Sequence, residues 1–183
     1  MRPFKLSSAL VQVTASYPAA EEIRRVVNWG TADDRVALAR QWLSEGIPFA
    51  FRHCPAVYGA MRAWLSSRLS VEAKQISMVG TARLGSSLSP DKFGKSFDAR
   101  SDLDLFVVSA RLFQCMTQDF ERWLRDFRSG GISPASDKER TYWADHELRG
   151  PRLVERGFMD TNLIPTRGGS GLARDWWTPD KRR

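Results

Sequence analysis

The chain has 183 residues, room for one ordinary domain with appendages, which argues against separate cofactor and substrate domains. With 42% hydrophobic and 27% charged residues it can bury a core, and no stretch approaches the ~20 apolar residues of a membrane span. Its 28 Lys+Arg against 21 Asp+Glu give a net charge of +7, a bias toward phosphates on nucleotides or along a nucleic acid.

Thr31 can cap a helix that runs to Glu45 and stops at Gly46, with Val36, Ala39, Trp42 and Leu43 on one stripe. A second helix starts near Pro55, and the helical spacing of Val57, Met61, Trp64 and Leu65 reads as core packing. At Gln75 the pattern changes. Ile76 to Val79 reads as a short strand ending at Gly80, residues 86–101 as a polar loop, and Leu103 to Val108 as a second strand. Beyond Ser109, the residues Phe113, Met116, Phe120, Trp123, Leu124 and Phe127 predict an amphipathic helix closed by Gly130-Gly131. A further helix spans Ser136 to Glu147, Gly157 to Ile164 reads as a third strand closed by Pro165, and a basic Trp-rich tail follows. The expected division is a helical extension over 1–73, a core over 74–165 and the tail over 166–183.

Two cysteines, Cys54 and Cys115, are too few for a stapled secreted scaffold. The run Leu6 to Val13 behind Arg2 and Lys5 is interrupted by Ser7, Ser8 and Gln12, which argues against a secretory signal. A reducing cytoplasm is therefore the expected compartment. His53 and His146 are the only histidines and show no zinc-ligand spacing. Gly168-Gly169-Ser170-Gly171-Leu172 lacks the glycine spacing of a nucleophile elbow. Trp176-Trp177 beside Lys181-Arg182-Arg183 suits either base stacking or docking onto the core.

The chemistry concentrates in two phrases. In Ser101-Asp102-Leu103-Asp104-Leu105-Phe106, strand periodicity puts Asp102 and Asp104 on one face. Two carboxylates so close repel unless a cation lies between them, and oxygen-only donors suit Mg²⁺. Upstream, Gly80-Thr81-Ala82-Arg83-Leu84-Gly85 follows a strand, where a glycine lets a phosphate approach the backbone and Thr81 offers a hydroxyl. The phrase is not a Walker A loop, since Ser86 stands where lysine is required, and it lacks the third glycine of a dinucleotide fingerprint. Asp160, in Phe158-Met159-Asp160-Thr161-Asn162, is an acid within an apolar run; it is either paired with Arg152, Arg156 or Arg167 or held for a purpose.

Taken together, strand, Gly-Thr turn, helix start and Ser-Asp-Leu-Asp-Leu on a second strand resemble the nucleotidyltransferases of the DNA polymerase β-like superfamily. The resemblance covers residues 76–108 and, more loosely, the segment around Asp160. It implies an α+β fold with a mixed β-sheet core flanked by helices. It also implies that Gly80, Thr81, Arg83 and Gly85 hold a nucleoside triphosphate, and that Asp102, Asp104 and Asp160 hold two Mg²⁺ or Mn²⁺ ions. The implied reaction moves a nucleoside monophosphate to a hydroxyl on RNA, protein or a small molecule. Thr81 stands for the usual serine, and the segment between Gly85 and Ser101, with Lys92 and Lys95, is longer than in minimal members: either a substrate lid or a decoration. Two other functions share these residues. A second-messenger oligonucleotide synthase usually carries a sizeable helical region after the core, and here little follows Pro165. A catalytically idle module would bind nucleic acid or a partner protein through the positive surface.

Overall fold

The computed structural model describes residues 7–11, 13 and 15–165. The order of elements is α1 (Ser8–Val11), α2 (Ala20–Trp29), α3 (Ala32–Leu38), α4 (Pro55–Leu69), β1 (Ile76–Val79), α5 (Gly80–Leu84), β2 (Asp104–Val107), α6 (Ala110–Arg128) and α7 (Asp137–Glu155), with short 3₁₀ turns between. The fold is α+β and mainly helical, with one two-stranded antiparallel sheet among the described residues. The tail at 166–183, the N-terminal residues Arg2 and Lys5, and the side chain of Leu43 lie outside the described residues. No helix among the described residues is long and apolar enough to cross a membrane.

Two compact units result, Met1–Val108 and Ser109–Arg183. The Ala39–Ser44 turn and α4 pack on β1, in keeping with an N-terminal extension packed on the core, and the first unit extends through β2 to Val108.

In the first unit, Thr31 starts α3 as the sequence indicates. Its hydroxyl accepts from the Asp34 amide at 3.2 Å, and the Asp34 carboxylate returns to the Thr31 amide at 2.9 Å. Such a reciprocal cap stabilises a helix by about 1 kcal/mol. The Ser7 hydroxyl donates to the same carboxylate, and together these bonds hold Asp34 below the usual carboxylate range. The α-helix stops at Leu38, and residues Ala39–Ser44 continue as a π-turn before Gly46 takes a positive φ of 78°.

In β1, Ile76 and Met78 are fully buried while Ser77 and Val79 are half-buried, the period-two pattern of a strand with one covered face. The pairs run from Ile76↔Val107 to Val79↔Asp104. One cluster gathers Val13, Ile23, Val26, Leu38 and Leu84; another gathers Tyr58, Met78 and Ala82 with Phe51 and Phe97. The short helix α5 joins both through Ala82 and Leu84. α4 departs from expectation: Tyr58 is its buried residue, whereas Val57 and Trp64 are 53% and 57% exposed.

The segment after Gly85 is a folded excursion. Ser86 pairs with Ser96, the Ser87 amide donates to the Lys95 carbonyl at 2.9 Å, and the Phe97 amide donates to the Gly85 carbonyl at 2.9 Å. Phe97 anchors it in the Tyr58–Met78 cluster, with Lys92 and Lys95 exposed at the outer end.

The second unit packs α6 against α7. Leu112, Met116, Phe120 and Trp123 form the buried stripe of α6, and Trp143, His146 and Gly150 that of α7. Trp123 stacks on Phe127 at 5.5 Å and meets Trp143 edge-on at 5.6 Å. α7 continues past Glu147, through Pro151, to Glu155. A Cβ added at Gly150 would lie 2.0 Å from Phe120 Cζ, and that ring is 1% exposed. Gly150→Ala is therefore expected to destabilise this unit by about 1–3 kcal/mol despite alanine's better helix propensity. Thermal unfolding of the variant measures the loss, and adding Phe120→Leu should recover part of it; an unchanged midpoint in the single variant contradicts the packing.

The expected third strand does not form. Gly157, at φ 74°, closes the end of α7, and residues Thr161–Leu163 make a 3₁₀ turn. The Asp160 carboxylate accepts from the Asn162 amide at 2.9 Å, a local side-chain bond that captures the backbone amide in a turn rather than a ladder.

Candidate functional site

The antiparallel register decides what the Gly80 turn faces. Because Val79 pairs with Asp104, the first residue of β2 lies beside the last residue of β1, next to the start of α5. Gly80 has φ 70°, and a Cβ placed there would sit 3.1 Å from Asp104 Oδ2. The backbone conformation calls for glycine here, and an added Cβ would also press on the Asp104 carboxylate. Asp104 and Asp102 are both exposed, and among the described residues neither has an ion-pair or hydrogen-bond partner. β2 begins at Asp104, so Asp102 precedes the regular strand and strand alternation does not fix its face. Thr81 is half-buried, and its hydroxyl has no partner among the described residues.

Two residues expected at the phosphates are engaged elsewhere. Arg83 is 4% exposed, and its Nε donates to the Trp42 carbonyl at 2.9 Å and its Nη1 to the Gly46 carbonyl at 2.8 Å. It clamps the π-turn after α3, and burial lowers its pKa from the ordinary arginine value. Gly85 caps α5 at φ 89°, with the Phe49 ring so close that an added Cβ would meet Cδ2 at 2.6 Å. Packing accounts for this second glycine.

Asp160 belongs to the second unit and is half-buried. Instead of standing within a strand, it caps the Thr161–Leu163 turn, and no arginine forms an ion pair with it among the described residues. Among the described residues no group of three or more His, Cys, Asp and Glu side chains is placed to hold a metal ion. Asp104 at the turn, with Asp102 two residues before it, supplies oxygen donors of the kind that suit Mg²⁺, an ion that keeps several waters and takes one or two carboxylates plus substrate phosphates.

His146 is a titratable group with no part in the motif. It is 1% exposed, packs on Tyr142 at 4.0 Å, and neither ring nitrogen makes a hydrogen bond of good geometry. Burial, then Arg149, pushes its pKa below the ordinary 6.5, partly offset by Asp145, the Leu163 backbone and Asp160. The folded state thus holds fewer protons here than the unfolded state. Its contribution to stability is complete above the unfolded value of about 6.5 and is lost as pH falls below it toward the folded value. The midpoint of thermal unfolding is expected to drop between pH 7.5 and pH 5.5, and His146→Gln should flatten that slope; an equal slope in the variant contradicts the assignment.

Compared with protein-family models, with curated proteins and with solved structures, the chain gives no match.

Proposed function

We propose that the chain is a metal-dependent nucleotidyltransferase that moves a nucleoside monophosphate from a nucleoside triphosphate to a hydroxyl on RNA, protein or a small molecule. The observation that carries the reading is the register Val79↔Asp104, which sets an unpaired carboxylate against the open backbone of Gly80. Asp102 and Asp104 are the residues that would hold Mg²⁺ or Mn²⁺. When bound, the ion neutralises phosphate charge and polarises the attacking hydroxyl. Gly80, without a side chain, leaves room for a phosphate beside the turn, and the Thr81 hydroxyl is free to donate to it. Asp160 enters as the third acid and proton acceptor through the resemblance alone.

A second reading, a catalytically idle module that binds nucleic acid or a partner protein, is favoured by one observation: among the described residues no group of three or more His, Cys, Asp and Glu side chains is placed to hold a metal ion. Incubation with each labelled nucleoside triphosphate and Mg²⁺ or Mn²⁺, with and without RNA or cell lysate, separates the two. Transfer of label to an acceptor supports the enzyme. Label on nothing, together with salt-sensitive RNA binding indifferent to Asp102 and Asp104, supports the module.

A further inference from the structure

The clamp formed by Arg83 leaves a buried charge with no ion-pair partner among the described residues; the nearest compensation is the field of the exposed Glu45. Its partners are neutral carbonyls, those of Trp42 and Gly46 with the Gln41 carbonyl at a longer 3.5 Å, and no carboxylate among the described residues lies within ion-pair distance. A guanidinium has five N–H donors, so two remain unspent. A buried cation normally has a counter-ion, because desolvating an unpaired charge is costly. This one lines a cavity of about 370 Å³ with Tyr17, Gln41, Trp42, Glu45 and Ile47. That volume is in the range of small-ligand sites, roughly 300–1,000 Å³.

The walls restrict the ligand further. The Tyr17 hydroxyl donates to the Ile47 carbonyl at 3.1 Å and the Trp42 Nε1 to the Ala15 carbonyl at 3.3 Å. Their polar hydrogens are thus spent within the chain and are not available to a ligand. Glu45 is exposed and adds a negative charge whose field reaches Arg83.

From the buried Arg83, which has no ion-pair partner among the described residues, and this cavity we infer that the first unit holds a small-molecule site, separate from the Gly80–Asp104 turn, for a ligand with an anionic head and an apolar body. The head, a carboxylate or a phosphate, takes the free guanidinium hydrogens, and the body lies against Tyr17 and Trp42. Glu45 opposes the anion and weakens its binding.

The test is a titration of the ¹⁵N-labelled full chain with sodium benzoate and, separately, with inorganic phosphate, at constant ionic strength. Saturable shifts of the Arg83 Nε–H and Trp42 Nε1–H signals are expected with one probe or both, and the one that saturates first identifies the head group. Glu45→Gln, an exposed substitution that leaves the fold alone, is expected to tighten binding several-fold. Asp104→Asn should leave this binding unchanged, so the outcome is independent of the nucleotide site. Absence of a saturable shift with both probes up to about 10 mM, or an affinity indifferent to Glu45→Gln, overturns the proposal.

Discussion

Asp104→Asn is expected to lower Mg²⁺-dependent nucleotide transfer by about 10³-fold, equivalent to roughly 4 kcal/mol of transition-state stabilisation. The substitution is nearly isosteric and removes only the charge. Because Asp104 is exposed and has no partner among the described residues, folding stability should stay within about 0.5 kcal/mol of the parent. Steady-state transfer rates and thermal unfolding on the same samples separate lost chemistry from lost structure. Asp91→Asn, an exposed acid in the folded excursion, is the control and should leave the rate unchanged. Undiminished transfer in Asp104→Asn would remove the site from the Gly80 turn.

Gly85→Ala is expected to cost about 2–4 kcal/mol of stability, combining a residue forced to positive φ with overpacking. The φ of 89° puts alanine in a strained region, and the new methyl meets the Phe49 ring at 2.6–2.9 Å. That ring cannot easily move. The Arg52 guanidinium lies 3.7 Å from its centroid, and Tyr17 and Phe97 abut it edge-on at 5.4 and 6.2 Å. Denaturant unfolding measures the loss, and Phe49→Leu in the same chain should restore part of it. The variant also tests what the glycine is for: a packing residue lowers stability while the folded fraction keeps its affinity for nucleoside triphosphate, whereas a phosphate-cradle residue lowers the affinity of folded protein.

The parts of the fold that were legible in the sequence rest on local signals. Thr31, Ser109 and Ser136 each cap the following helix through a side-chain oxygen, and the aromatic residues of α6 repeat at helical spacing. Both strands are short apolar runs, and β1 ends at a glycine. What failed depended on competition or direction. The run Phe158 to Ile164 has a strand's composition, but the Asp160 side chain binds the Asn162 amide before any neighbouring strand can. Spacing placed Val57 and Trp64 on one face of α4 without saying which face is covered; Tyr58 turns inward and they do not. The family resemblance assigns Arg83 to the phosphates. Its direction is set by Ala82 and Leu84, which lock α5 between two apolar clusters and aim the guanidinium at the carbonyls after α3. In the candidate site, the residue types of Asp104 and Gly80 stand in the sequence, whereas the nearness of the two is a consequence of strand register.

Paramagnetic broadening locates a metal bound at the Gly80 turn. Substoichiometric Mn²⁺ added to the ¹⁵N-labelled chain with a nucleoside triphosphate should broaden the amides of Gly80, Thr81 and Asp104 first, and Asp104→Asn should abolish that pattern. Broadening centred elsewhere, or retained at Gly80 in Asp104→Asn, would contradict a metal–nucleotide site at this turn.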